Sequence, residues 1–365
     1  MRESVGSFPR PLLSLLRCTF DAGRLSVTYE TRSDESGIAE GKLRCNDCLR
    51  EYPIERGIVR LMVAGLTEES RHEIQLKDEE YEALPETFVP PPSGWRSEFT
   101  DKIEIPPHLN ALHPLVGRRV LELGCGDGRF TTLMAQSGAE VLAIDFSFEG
   151  LRKASWHLAK GSPPTSYQLR RKHFAGDLRT RVGLVQADAS RFHVAPRGFS
   201  RALSATPLDS RDERMEMYRS VAEALTEDGR FVAGVEYDDL YRRVLGLPKV
   251  RRYSRGGILI EHLNIATMRR EMSPYFGRLR MQPIRVHLPF VRLLPIGTRV
   301  VVSRCAASTP ILKHLGDILL VSAERPWRLP QEGVRRPGYF GASAIYRRYK
   351  CWRGEEPIWS MDEYV

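Results

Sequence analysis

The chain has 365 residues, 42% hydrophobic and 28% charged, which is typical of a soluble protein long enough for two or three domains. No apolar run reaches the length of a membrane span, no signal peptide is recognisable at the start, and six cysteines do not indicate a disulfide scaffold, so a cytoplasmic location is expected. The net charge of +9 permits an anionic partner, although an arginine-rich composition gives the same balance without any nucleic-acid role.

Residues 1–65 predict a small β-rich unit. Short strands are expected at residues 16–18 and 25–29, and a polar turn then leads to the pair Cys45-x-x-Cys48 and to an apolar stretch at residues 51–61. The second half, with Tyr52-Pro53-Ile54, is similar to the zinc-ribbon family that includes the activator subunit of transfer-RNA methyltransferases.

This resemblance implies a zinc site, although the first pair reads Cys18-Thr-Phe-Asp21 where the family has a second cysteine. Zinc accepts a carboxylate oxygen as a ligand, so Cys18, Asp21, Cys45 and Cys48 can form a tetrahedral set. The alternative is a ribbon that has lost its metal and is held together by its core. Residues 66–105 follow as a solvated connecting helix and a proline-rich linker.

The most informative stretch lies at residues 120–130. An apolar run predicts a strand, Gly124-x-Gly126-x-Gly128 predicts a tight turn, and a helix is expected from about Phe130. Two further apolar runs each end in an acid, at Asp145 and at Asp188. Since open α/β sheets bind ligands at the carboxyl ends of their strands, these acids are expected at a ligand site.

Residues 106–326 resemble the class I S-adenosylmethionine (SAM) methyltransferases. Their first motif is matched from Glu122 to Gly128, their ribose-binding acid by Asp145, and their adenine-contacting acid by Asp188. The resemblance implies an α/β, Rossmann-like sheet of seven strands with the last antiparallel, and SAM as cofactor. The cofactor-binding residues that it implies are Glu122, Gly124, Cys125, Gly126, Gly128, Asp145, Phe146, Asp188, Ala189 and Ser204.

The glycines allow two other interpretations. An NAD-binding unit usually has G-x-G-x-x-G, and here the third glycine comes one residue early. A glycine turn that binds no ligand is the second alternative.

The predicted function is methyl transfer from SAM to a small-molecule or lipid-like acceptor, because the segments after strands four and five resemble methyltransferases of quinones and other small metabolites. RNA methylation and a catalytically silent SAM-binding scaffold are the alternatives. The sequence identifies no general base, although Glu236 and His262 are candidates. Residues 327–365 form a tail whose role, like the oligomeric state, is not predicted.

Overall fold

The computed structural model describes residues 6–34, 37–62, 68–85, 87–91, 96–205, 210–252, 259–288 and 291–327. The strands in these residues are β1 (Phe8–Pro9), β2 (Leu25–Ser33), β3 (Gly37–Cys45), β4 (Glu51–Glu55), β5 (Ile58–Arg60), β6 (Arg119–Leu123), β7 (Glu140–Asp145), β8 (Val182–Gln186), β9 (Phe199–Ser204), β10 (Leu225–Glu236), β11 (Val250–Arg252), β12 (Leu259–Glu261), β13 (Phe276–Val286) and β14 (Gly316–Pro326). The helices are α1 (Arg10–Leu13), α2 (Glu68–Glu82), α3 (Glu98–Leu112), α4 (Arg129–Gln136), α5 (Phe148–Lys160), α6 (Arg211–Ala224), α7 (Leu240–Val244), α8 (Ile265–Met272) and α9 (Ile296–Ala307).

A single mixed sheet forms the centre of the described residues. Its strand order is β1-β3-β4-β5-β8-β7-β6-β9-β10-β14-β13, with β2 paired to β3. Strands β8, β7, β6, β9 and β10 are parallel, and β14 lies antiparallel between β10 and β13. These seven strands have the arrangement expected for a class I methyltransferase, with the last strand antiparallel.

Helices cover both faces of this sheet, which is why its central strands are apolar on both sides. Strand β8 is buried along its whole length, and β6 and β7 are buried except at their first residues. Leu109 of α3, Leu133 of α4 and Leu151 of α5 belong to the core on one face. The core on the other face includes Tyr218 of α6 and Met268 of α8.

Local signals explain the helix boundaries beside the glycine motif. Ser147 caps α5 by accepting a hydrogen bond from the Gly150 amide. Helix α5 ends at Gly161, which has a positive φ of 59°. Helix α4 begins directly after Gly128.

The N-terminal strands extend the main sheet, whereas the sequence suggested a separate small unit. Strand β5 pairs in parallel with β8, with Ile58 opposite Leu184. Phe8 also packs on β8: a Cβ added to Gly183 of that strand would lie 2.8 Å from the Phe8 ring. The sheet therefore has twelve strands instead of the seven expected, because β8 would otherwise expose an unpaired edge.

The connecting segment also differs from the prediction. The expected helix is α2, and α3 runs across residue 105, where the sequence placed a domain boundary. Among the described helices, none combines the length and the hydrophobicity needed to cross a lipid bilayer. The predicted tail from residue 328 onwards lies outside the described residues.

Candidate cofactor site and metal-type cluster

The glycine motif forms a sharp turn between β6 and α4. Gly124, Gly126 and Gly128 all have positive φ, at 72°, 54° and 87°. Residues other than glycine are strained at positive φ, so the turn requires glycine at these positions. The amides of Gly124 and Cys125 donate to the Ile144 carbonyl oxygen, at 2.8 and 3.1 Å, and this holds the turn against the end of β7.

Asp145 joins the glycine turn to the start of α5. Its Oδ2 accepts from the Gly126 amide at 2.7 Å, and its Oδ1 accepts from the Ser147 amide at 2.9 Å. Burial raises the pKa of this carboxyl to about 6. Each oxygen of a carboxylate accepts two hydrogen bonds, so Asp145 keeps the capacity to accept from a ligand hydroxyl.

Glu122 lies below the turn and is closed off from solvent. Its Oε2 accepts a hydrogen bond from the Thr131 hydroxyl at 2.6 Å. Burial raises the pKa of the Glu122 carboxyl to about 8, so the neutral acid is favoured at pH 7. This residue therefore ties β6 to α4 inside the protein, and it does not face the solvent edge of the site.

The other predicted site residues lie at the same carboxyl edge of the sheet. Asp188 follows β8, and its Oδ1 accepts from the amide and the hydroxyl of Ser190, at 2.8 and 2.6 Å. Ser204 ends β9 beside Leu123 of β6 and is buried. The residues of the set that are only partly buried are Gly124, Phe146, Asp188 and Ala189.

This arrangement fits a nucleoside-containing cofactor such as SAM. The turn presents backbone without side chains, acids stand at the ends of two strands, and half-buried groups leave the edge accessible to a ligand. The strand order reverses between β6 and β9, and open α/β sheets bind ligands at such a position.

Sequence reasoning missed the contribution of α2. A Cβ on Gly126 would collide with the hydroxyl of Tyr81, so this tyrosine covers the glycine turn. Asp78, one turn earlier, accepts from the Ser147 hydroxyl at 2.6 Å and from the Glu149 amide at 3.1 Å. The prediction of a solvated connector is therefore wrong for this side of α2. Apart from Ile74, Leu76 and Tyr81 the helix is polar, so it has no continuous apolar stripe that would predict the contact.

A second group that the sequence did not predict is a charged cluster near the end of β10. Arg129 pairs with Asp101 of α3 at 2.7 Å. Arg285 pairs with Asp317 at 2.6 Å and lies 3.9 Å from Glu236. Glu236, a candidate base in the sequence, is thus held in a salt bridge. The other candidate, His262, is buried with its Nδ1 3.1 Å from the Lys249 carbonyl oxygen.

The four predicted metal ligands come together at the far end of the N-terminal strands. One ligand atom from each of Cys18, Asp21, Cys45 and Cys48 lies within 4.8 Å of the other three. The Cys18 and Cys48 sulfurs are 3.6 Å apart, and the Cys45 sulfur lies 3.3 Å from Asp21 Oδ1. Two or three thiolates with one carboxylate are a donor set that suits zinc.

The two halves of this cluster are built from matching turns. The Cys18 sulfur accepts a hydrogen bond from the Phe20 amide, and the Cys18 carbonyl oxygen accepts one from the Ala22 amide. Ala22 has a positive φ of 59°. In the same way, the Cys45 sulfur accepts from the Asp47 amide and the Cys45 carbonyl oxygen accepts from the Leu49 amide. Leu49 has a positive φ of 61°. Asp21 therefore stands in the first turn where Cys48 stands in the second.

Comparisons with known proteins agree with a methyltransferase domain at the glycine motif. Residues 120–229 match the family model described as a methyltransferase domain. Over 77 residues the chain is 42% identical to the ubiquinone biosynthesis O-methyltransferase of Paracidovorax citrulli, covering 20% of this chain and 32% of that protein. Over 58 residues it is 45% identical to phosphoethanolamine N-methyltransferase 1 of Arabidopsis thaliana, covering 16% and 12%. The chain thus spans a third or less of the length of these relatives.

Among solved structures, a SAM-dependent methyltransferase from Mesorhizobium loti is 21% identical, with 61% of this chain and 97% of that chain covered and a TM-score of 0.42. At that score the likeness adds nothing to the strand order described above. The family model and the glycine motif agree on a methyltransferase domain within residues 120–229.

Proposed function

We propose that this protein is an enzyme that transfers a methyl group from SAM to a small-molecule or lipid-like acceptor. The observation that carries the proposal is the convergence of the glycine turn, Asp145 and Asp188 at one edge of the sheet, within a methyltransferase domain. The relatives are named for ubiquinone biosynthesis and for phosphoethanolamine, and neither name refers to a macromolecular acceptor.

The cofactor residues are assigned by the motif that each one matches. Gly124, Gly126 and Gly128 pass the methionine end of SAM, and Asp145 accepts from the ribose hydroxyls. Asp188 and Ala189 face the adenine, and the remaining members of the set are Glu122, Cys125, Phe146 and Ser204. SAM supplies an activated methyl group when bound. The contribution of the chain is then to hold that group in line with the acceptor and to exclude water.

The N-terminal cluster is proposed to bind one structural zinc ion through Cys18, Asp21, Cys45 and Cys48. The matching turns and the distances among the four ligand atoms support this proposal. Because all four positions are filled by protein atoms, the site has the closed ligand set of a structural metal and leaves no position for a substrate.

The test of the function is methyl transfer from radiolabelled SAM into a fractionated cell lysate, with an Asp145→Ala variant as the matched control. We expect label in the organic or small-molecule fraction from the wild-type chain and none above background from the variant. Label that appears in RNA would replace the proposed acceptor by a nucleic acid. An absence of label in every fraction, with SAM still bound, would indicate a scaffold without catalytic activity.

A further inference from the structure

The N-terminal strands reach the proposed cofactor site through one row of the sheet. Arg60, the last residue of β5, lies opposite Gln186 of β8. Gln186 in turn lies opposite Asp145 of β7. Three neighbouring strands therefore place an N-terminal arginine two strands away from the acid assigned to the ribose.

Side chains connect this row to the residue beside Asp145. Arg60 Nε donates to Gln186 Oε1 at 2.9 Å, and Gln186 Nε2 donates to the Phe146 carbonyl oxygen at 3.0 Å. The Gln186 side chain is buried, so neither end of its amide has free access to water. A buried amide that loses one partner must leave a polar group unsatisfied. The position of the Phe146 backbone is thus coupled to Arg60.

Arg60 is itself held in place by further contacts. Its Nη1 donates to Glu55 Oε2 at 2.8 Å, and its guanidinium carbon lies 5.0 Å from the centre of the Phe148 ring. The amide of Leu61, the next residue, donates to the Gln186 carbonyl oxygen at 2.8 Å. The guanidinium is therefore oriented before any ligand binds.

The segment after Asp188 also rests on the N-terminal residues. The Ala195 amide donates to the Leu15 carbonyl oxygen at 2.7 Å, and Leu16 forms a β-bridge with Val194. The segments after β7 and after β8, which carry Phe146 and Asp188, are thus both supported by the first sixty residues.

We propose that Arg60 is a positioning residue of the SAM site, which fixes the backbone of Phe146 through the side-chain amide of Gln186. The N-terminal strands then form the outer support of the adenine side and are part of the binding machinery. This inference rests on the proposed function, because it assigns Phe146 to the cofactor.

The test is isothermal titration of the full chain with S-adenosylhomocysteine and with 5′-methylthioadenosine, which carries the adenosine half without the amino acid. Arg60→Met keeps the aliphatic stem and removes the donor to Gln186. We expect it to weaken both ligands about tenfold, or about 1.4 kcal/mol of binding free energy, because the Phe146 backbone is no longer held in its binding position. Arg60→Lys keeps a cationic donor, and we expect its affinity to return to within about threefold of wild type.

Two further variants separate positioning from general loss of structure. Arg44→Met removes an exposed arginine of the same region, paired with Glu51 at 2.7 Å, and should leave both affinities unchanged. Gln186→Leu should weaken binding as Arg60→Met does, and the double variant should be no weaker than either single one, because both remove the same link.

Wild-type affinity in Arg60→Met, or additive losses in the double variant, would overturn the positioning role while leaving the proposed function intact. Failure of the wild-type chain to bind either ligand would overturn the proposed function and this inference together.

Discussion

Two regions of one sheet are stabilised in different ways. The central strands β6 to β8 are almost fully buried and are covered by helices on both faces. Strand β2, by contrast, is exposed along most of its length, and the N-terminal strands end at a cluster of three cysteines and one aspartate. The central region is held by apolar burial, which works without a ligand, whereas the outer strands contribute residues to the same apolar core and add a metal-type donor set.

The two regions contribute different parts of the proposed cofactor site. The central strands supply the glycine turn and the acids of the cofactor site. The outer strands supply β5, which covers the edge of β8 and carries Arg60. The predictions below test how far the two regions depend on one another, from the largest expected effect to the smallest.

Removing the proposed zinc ion is expected to have the largest effect. Treatment with a zinc chelator, or Cys45→Ser, should unfold the outer strands, because structural zinc supplies much of the folding free energy of small units. Hydrogen exchange followed by mass spectrometry should show protection lost in β2 to β4 and retained in β6 and β7. Elemental analysis should find one zinc per untreated chain.

Cys305→Ser is the matched control, since Cys305 is exposed and lies outside the cluster. It should change neither the zinc content nor the exchange pattern. Equal protection with and without chelator in the wild-type chain would contradict a structural metal.

Gly183→Val should weaken the junction between the regions. A Cβ at Gly183 would lie 2.8 Å from the Phe8 ring and 3.2 Å from Leu12 Cδ1, so N-terminal residues must move outwards. We expect a loss of about 1–3 kcal/mol in the free energy of unfolding, as for other overpacked cores. Urea denaturation followed by circular dichroism measures it.

Gly297→Ala provides the comparison for this variant. Nothing lies within 4 Å of a Cβ at Gly297, which is in α9, so this change should be neutral or stabilise by up to about 1 kcal/mol. A Gly183→Val chain as stable as the wild type would show that the packing of Phe8 on β8 is loose.

Glu122→Gln should alter the pH dependence of stability. The pKa of Glu122 in the folded chain, about 8, lies above its ordinary value of 4.5, so the folded chain binds more protons between these two values. Stability conferred by the neutral acid is complete below about pH 4.5 and is lost as the pH rises towards 8. The variant should show a shallower decline from pH 5 to pH 8, by on the order of 1 kcal/mol.

Thermal unfolding across this pH range, without ligand, measures the effect. Parallel pH profiles for Glu122→Gln and the wild type would contradict the buried neutral acid.

Much of the central region could be predicted because its signals are local. The glycine turn, the cap at Ser147 and the acids at strand ends lie within a few residues of the elements that they define. The resemblance to the zinc-ribbon family likewise implied the cluster with Asp21 in the place of a cysteine, and the matching turns agree with it.

The contacts that the sequence did not predict are distant along the chain. Arg60 and Gln186 are 126 positions apart, and Ser147 and Asp78 are 69 apart. Neither pair forms a periodic pattern, since each contact depends on single polar side chains. Strand pairing across such separations depends on which edge is left open, and that is a property of the assembled sheet.

The central claim is that this edge of the sheet binds SAM through Asp145. Isothermal titration of the wild-type chain and of Asp145→Ala with SAM tests it most directly. We expect the wild type to bind and the variant to bind about a hundredfold more weakly, because two hydrogen bonds to a charged acceptor are lost. The variant should remain folded but melt at a lower temperature, because the Gly126 and Ser147 amides lose their acceptor. Equal affinity in the two proteins, or no binding by the wild type, would contradict the account.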